Sequence, residues 1–83
     1  MTTHEVDDVD HWLTSPKRAE VFAGVAENIR TFVRPDTPNS VGLTMDVADM
    51  SAFEAVLNSE AGAEAMKFDG VRPETLVVLI EAG

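Results

Sequence analysis

Cysteine is absent from the chain. No disulfide can staple the fold, and no thiolate is there to act as nucleophile or metal ligand. The absence is compatible with a reducing compartment, and a cytoplasmic location is expected. Basic residues are scarce: six Lys and Arg stand against fifteen Asp and Glu, a net charge of −9. An acidic surface repels phosphate backbones and anionic headgroups, so neither nucleic acid nor membrane is an expected partner. The simplest role of the charge is to keep a small domain soluble. Long hydrophobic runs are missing too. The longest, residues 76–80, is far too short to span a bilayer, and no basic start followed by an apolar run marks a secretory signal. Glycine-rich phosphate loops, nucleophile elbows and zinc-ligand spacings do not occur, so no cofactor and no metal are expected.

The chain contains a repeated block. Glu5-Val6-Asp7-Asp8-Val9, followed by Trp12, matches Asp46-Val47-Ala48-Asp49-Met50, followed by Phe53. Three residues out of step the match resumes: Leu13-Thr14-Ser15 with Ala19-Glu20 and Phe22 corresponds to Leu57-Asn58-Ser59 with Ala63-Glu64 and Met66. Two copies of one strand-plus-helix unit, in 83 residues, predict a single small α+β domain over 1–83.

Element by element, Val41, Leu43, Met45 and Val47 alternate with Gly42, Thr44 and Asp46, the period of a half-buried strand. The repeat then puts a first strand over 1–6, with Thr2, His4 and Val6 inward. Asp7 or Asp8 caps a first helical region, whose apolar face carries Val9, Trp12 and Leu13. Ser15-Pro16 interrupts and restarts it, and Ala19, Val21, Phe22 and Val25 continue the stripe. A second strand runs over 29–33 and forms a hairpin with the third through the turn cluster 35–40. Asp49 caps the second helical region, with Ser51 and Glu54 as an alternative capping box. Met50, Phe53, Val56 and Leu57 make its stripe, Ser59 restarts it, and Ala61, Ala65, Met66 and Phe68 follow. Gly70 ends it in the left-handed conformation. Residues 71–74 read as a connector and 75–80 as a last strand that is apolar on both faces. The order βαββαβ gives a ferredoxin-like four-stranded antiparallel sheet with both helical regions on one face.

A strand apolar on both sides needs cover on both. Phe32, Gly42 and Thr44 also lie on the face left bare, beside Arg30, Arg34, Asp46 and Glu5. A second copy is the simplest cover, so a homodimer is expected.

With this size and element order, the segments Asp49-Met50-Ser51-Ala52-Phe53 and Ala65-Met66-Lys67-Phe68-Asp69-Gly70-Val71 resemble the dimeric α/β-barrel superfamily, in particular short members of unassigned function. The resemblance implies two ferredoxin-like subunits with their sheets pressed together and helices outside. The superfamily's activities range over cofactor-free monooxygenases, haem-degrading enzymes, lactone isomerases, stress-response proteins and ligand-sensing domains, and fold alone does not choose among them. It also implies a pocket between sheet and helices.

On that reading His4, inward on the first strand, is the candidate catalytic base or donor, weighed against a residue at a fraying chain end. Trp12, Phe22, Met45, Phe53 and Met66 are candidate walls of a pocket for an apolar or aromatic small molecule, and equally candidates for plain core. His11 is a second candidate polar contact. His4, Asp8 and His11 do not make a metal site, because the repeat places His4 in a strand and Asp8 at a helix cap. Lys17, Arg18 and Arg72 are scattered, and Asp69 beside Gly70 reads as turn chemistry. The expected function is small-molecule binding by a homodimer, with a cofactor-free monooxygenase or isomerase, or a non-catalytic structural or regulatory subunit, as alternatives.

Overall fold

The computed structural model describes all 83 residues. Eight elements follow one another: β1 (Thr2–Val6), α1 (Val9–Thr14), α2 (Lys17–Val21), β2 (Glu27–Val33), β3 (Ser40–Asp46), α3 (Met50–Leu57), α4 (Glu60–Asp69) and β4 (Val71–Val78). The repeated block is visible in three dimensions, since each copy is a strand followed by two short helices. Asp8 and Asp49, equivalent in the repeat, adopt nearly the same backbone, at φ −142°, ψ 108° and φ −135°, ψ 103°. Each caps its helix. The Asp8 carboxylate accepts from the His11 N–H, and that of Asp49 from the N–H groups of Ser51 and Ala52. With those donors satisfied, the alternative box at Ser51 is not used.

The restarts at serine also correspond. Ser59 caps α4 by accepting from the Gly62 N–H. Ser15 accepts from the Lys17 N–H at 3.2 Å, and Pro16 leads into α2 with its fixed φ. Gly70 closes α4 at φ +71°, a conformation glycine adopts without steric cost.

The four strands form one antiparallel sheet in the order β2-β3-β1-β4. β1 and β3 are central, and each copy of the repeat is split: β1 and β2 flank β3, while β3 and β4 flank β1. The hairpin of β2 and β3 pairs Val33 with Val41. β2 begins two residues earlier than predicted, at Glu27, and its register shifts between Glu27 and Arg30. Asn28 sits in that irregularity at φ +53°, a conformation asparagine tolerates, and donates to the Asp46 carboxylate at 2.8 Å.

The last strand departs most from expectation. It starts at Val71, where a connector was predicted, and stops at Val78. Val71 pairs with Val6 and Arg72 with Glu5, but the next pair is Thr3 with Val77. Pro73 lies in the gap and has no N–H to give the ladder. The Thr75 hydroxyl fills it instead, accepting from the Glu5 N–H at 2.8 Å and donating to the Arg72 carbonyl at 2.6 Å. The Arg72 side chain reaches Glu5 at 3.1 Å and Asp7 at 2.9 Å, a solvent-facing clip of the modest kind.

Thr2, His4 and Val6 alternate inward on β1, as do Val41 and Leu43 on β3. Trp12 and Val6 are completely enclosed and form the core with Val41 and Leu43, while Val9, Met45 and Val71 pack around it. Phe53 and Ala65 bring α3 and α4 onto the same face. The helical stripes are less regular. Leu13 and Phe68 are exposed, because α1 is too short to bury more than one large side chain and Phe68 lies outward against His11 and Lys17. Gly62, rather than its neighbour Ala61, points inward. The opposite sheet face is bare: Met1, Phe32, Val77 and Leu79 are each about half exposed. No helix is long and apolar enough to cross a membrane.

Candidate functional site

A cavity of about 50 Å³ lies between the sheet and the helices. β1 brings His4 to it, β3 Met45, α1 Trp12, α3 Phe53 and α4 Met66, while Phe22 arrives from the end of α2. His4 and the five candidate wall side chains therefore meet at one place. Phe22 and Phe53 stack there, ring centroids 5.1 Å apart at 26°, and join the two copies of the repeat.

His4 is buried, with 6 % of its surface exposed, in the middle of a paired strand. Its ring stands edge-on to Trp12 at 5.5 Å. Nδ1 is enclosed and has no hydrogen-bond partner in the chain. Burial is the main influence on its proton and pulls the pKa below the ordinary value of 6.5. Hydrogen bonding with the Glu5 backbone opposes this, the charge of Arg18 adds to it, and that of Asp69 opposes it. The imidazole is therefore neutral at pH 7.

Two residues of the site were not anticipated. Arg18 on α2 and Asp69 at the end of α4 both line the cavity. They form an ion pair at 3.6 Å with side chains only 11 % and 4 % exposed. Arg18 also donates to the Trp12 carbonyl at 2.8 Å and lies 4.4 Å over the Trp12 ring. Burial lowers the Arg18 pKa and Asp69 opposes the shift; the guanidinium stays charged. One Asp69 oxygen faces Arg18, while the other, Oδ1, is enclosed without a partner. The two residues that carry an enclosed side-chain atom without a partner, His4 (Nδ1) and Asp69 (Oδ1), thus both line this one cavity.

A signal for the pair was present in the sequence. Asp69 follows Ala65 by four residues and Met66 by three, and Arg18 precedes Phe22 by four. Each charge thus interrupts an apolar stripe at helical spacing. His11, by contrast, is not in the cavity. It is exposed on α1, its Nε2 2.7 Å from the Phe68 carbonyl. His4 and Asp8 are likewise parted, one buried in β1 and the other capping α1, and no group of three acidic or histidine side chains is placed to hold a metal ion.

The buried imidazole makes stability depend on pH. In the unfolded chain His4 takes up a proton near pH 6.5, whereas in the folded chain it does so only at lower pH. Its contribution is complete above about 6.5, is lost as pH falls toward the folded value, and is constant below that. Urea unfolding between pH 7.5 and 5.5 should show stability falling with acid, by at most about 1.4 kcal/mol per pH unit from this group. His4→Gln should flatten that slope. An unchanged slope in the variant would mean that His4 is not held in its buried, neutral form.

No protein-family model, no curated protein and no solved structure matches this chain.

Proposed function

We propose that the chain is a small-molecule-binding protein that works as a homodimer of ferredoxin-like subunits, its ligand held between sheet and helices. The observation that carries the binding role is the pair of enclosed, partnerless polar atoms at the cavity, His4 Nδ1 and Asp69 Oδ1. Buried polar atoms are almost always hydrogen-bonded, so such a pair marks a place where something else supplies the bonds. Trp12, Phe22, Met45, Phe53 and Met66 provide the apolar walls, His4 and Asp69 the orienting contacts. At about 50 Å³ the cavity at rest is well below the roughly 150 Å³ that holds benzene in an engineered apolar cavity. An aromatic ligand therefore requires the stacked Phe22 and Phe53 to part. Titration with a set of small neutral organic molecules, followed by NMR, tests the site. Saturable shifts centred on the Trp12 indole and the methyl groups of Met45 and Met66 are expected; their absence across the set removes the reading.

The split arrangement of both halves supports the ferredoxin-like assignment. The bare face supports the dimer and the barrel-like packing of sheet on sheet. It carries Met1, Phe32, Val77 and Leu79, half exposed, and a groove of about 540 Å³ beside Phe32, bordered by Thr3, Glu5 and Arg34. A two-fold axis sets each Phe32 against the other subunit's groove, the self-complementary contact that closes a dimer. Phe32→Asp puts a charge in the middle of that contact and should convert a particle of twice 9.0 kDa into a monomer in sedimentation equilibrium. A wild-type monomer at every concentration would dismiss the dimer.

A second reading is a cofactor-free enzyme of the monooxygenase or isomerase type. It is favoured by a neutral imidazole whose Nδ1 is free of the chain, the state in which a base accepts a proton. Conversion of a bound compound by the wild type, abolished in His4→Ala, is its expected sign; binding without conversion of any bound compound opposes it.

A further inference from the structure

The polar end of the cavity restricts what enters it. Asp69 Oδ1 is an acceptor and needs a donor. The residue is 3 % exposed and its Oδ1 is enclosed. A cation is a poor occupant, because Arg18 already stands 3.6 Å from the other carboxylate oxygen. An anion is a poor occupant because it would face Asp69 itself. A purely apolar molecule leaves both His4 Nδ1 and Asp69 Oδ1 unsatisfied, at a cost in affinity. A hydroxyl meets both requirements. Its single O–H donates to Asp69 Oδ1, and its oxygen accepts from His4 in the tautomer that carries the proton on Nδ1.

Resting on the binding site proposed above, we infer that this cavity selects an uncharged molecule presenting a hydroxyl, whose O–H donates to Asp69 Oδ1 and whose oxygen meets the His4 imidazole, with the alkyl part against Trp12, Phe22 and Phe53. A volume of about 50 Å³ is about a third of the cavity that holds benzene, so the resting space takes the hydroxyl and its carbon, and the rest of the alkyl part enters as Phe22 and Phe53 move apart.

Two probes separate polarity from mere access. 2-Propanol carries the hydroxyl on a small alkyl frame, and xenon is an apolar atom that enters dry cavities. Both are titrated into the intact protein while the Trp12 indole and the Met45 and Met66 methyl signals are followed. 2-Propanol is expected to saturate these signals at lower concentration than xenon. In Asp69→Asn, which keeps the shape and removes the charged acceptor, its affinity should fall about tenfold. Xenon binding at least as readily as 2-propanol would overturn the hydroxyl preference while leaving the cavity as a site. Equal 2-propanol binding by wild type and Asp69→Asn would overturn the role of Asp69. Failure of both probes to shift these signals would overturn the site itself. Should Asp69→Asn fail to fold, the comparison of the two probes on the wild type decides alone.

Discussion

Replacing Arg18 by methionine is expected to cost about 3–5 kcal/mol of folding stability, the range for removing one partner of a buried ion pair. The loss does not come mainly from the attraction itself. Methionine keeps much of the apolar stem, but Asp69, with a side chain 4 % exposed, is left with neither water nor countercharge. The Trp12 carbonyl loses its donor as well, and the Trp12 ring its cation. A domain of this size has a total stability of roughly 4–12 kcal/mol, so the variant should be only marginally folded at room temperature. Urea denaturation followed through the fluorescence of Trp12, the single tryptophan, measures the change. The double variant Arg18→Met, Asp69→Leu should recover most of the loss, because apolar replacement of a whole buried pair is often neutral or better. A single-variant loss under about 1 kcal/mol would show that the two side chains are solvated in solution.

That buried pair also shows where sequence reading succeeds and where it stops. Alternation on β3 and the repeat together placed Thr2, His4 and Val6 inward on β1, although Thr2 and His4 carry little apolar signal of their own. Caps and breaks were legible because each rests on a local bond: Asp8 and Asp49 on nearby N–H groups, Gly70 on its left-handed backbone. The five candidate wall residues and His4 were legible because helical spacing and, for His4 and Met45, strand alternation carry them to one face. Arg18 and Asp69 were not, since charge argues for the surface unless a partner is known, and the partner lies 51 positions away along the chain. The start of β4 was obscured for a similar reason. Pro73 and Glu74 read as a connector, and only the long-range bonds of Thr75 to Glu5 and of Val71 to Val6 make the segment a strand.

Helix packing around the cavity depends on one glycine, and there the direction of a substitution runs against local propensity. Alanine is the better helix former by about 1 kcal/mol, so Gly62→Ala in the first turn of α4 would stabilise an isolated helix. In the folded chain a β-carbon at this position would press into two backbone carbonyls at the end of α3, those of Val56 and Leu57, the latter at 2.7 Å. Neither oxygen is the far end of a flexible side chain. Relief requires α4 to move off α3, and Gly62 and Ala65 both line the cavity, so its wall moves too. Gly62→Ala is therefore expected to destabilise the protein by roughly 3 kcal/mol, at the upper end of the cost of overpacking. It should also weaken the signature of binding at Trp12. Ala61→Gly, one residue away and facing solvent, is the control, with a loss of about 1 kcal/mol from propensity alone and an unchanged site. Thermal unfolding of the two variants side by side separates the causes. If Gly62→Ala proved as stable as the wild type or more so, the close approach of α3 and α4 would be wrong, and the cavity they enclose would be shaped differently.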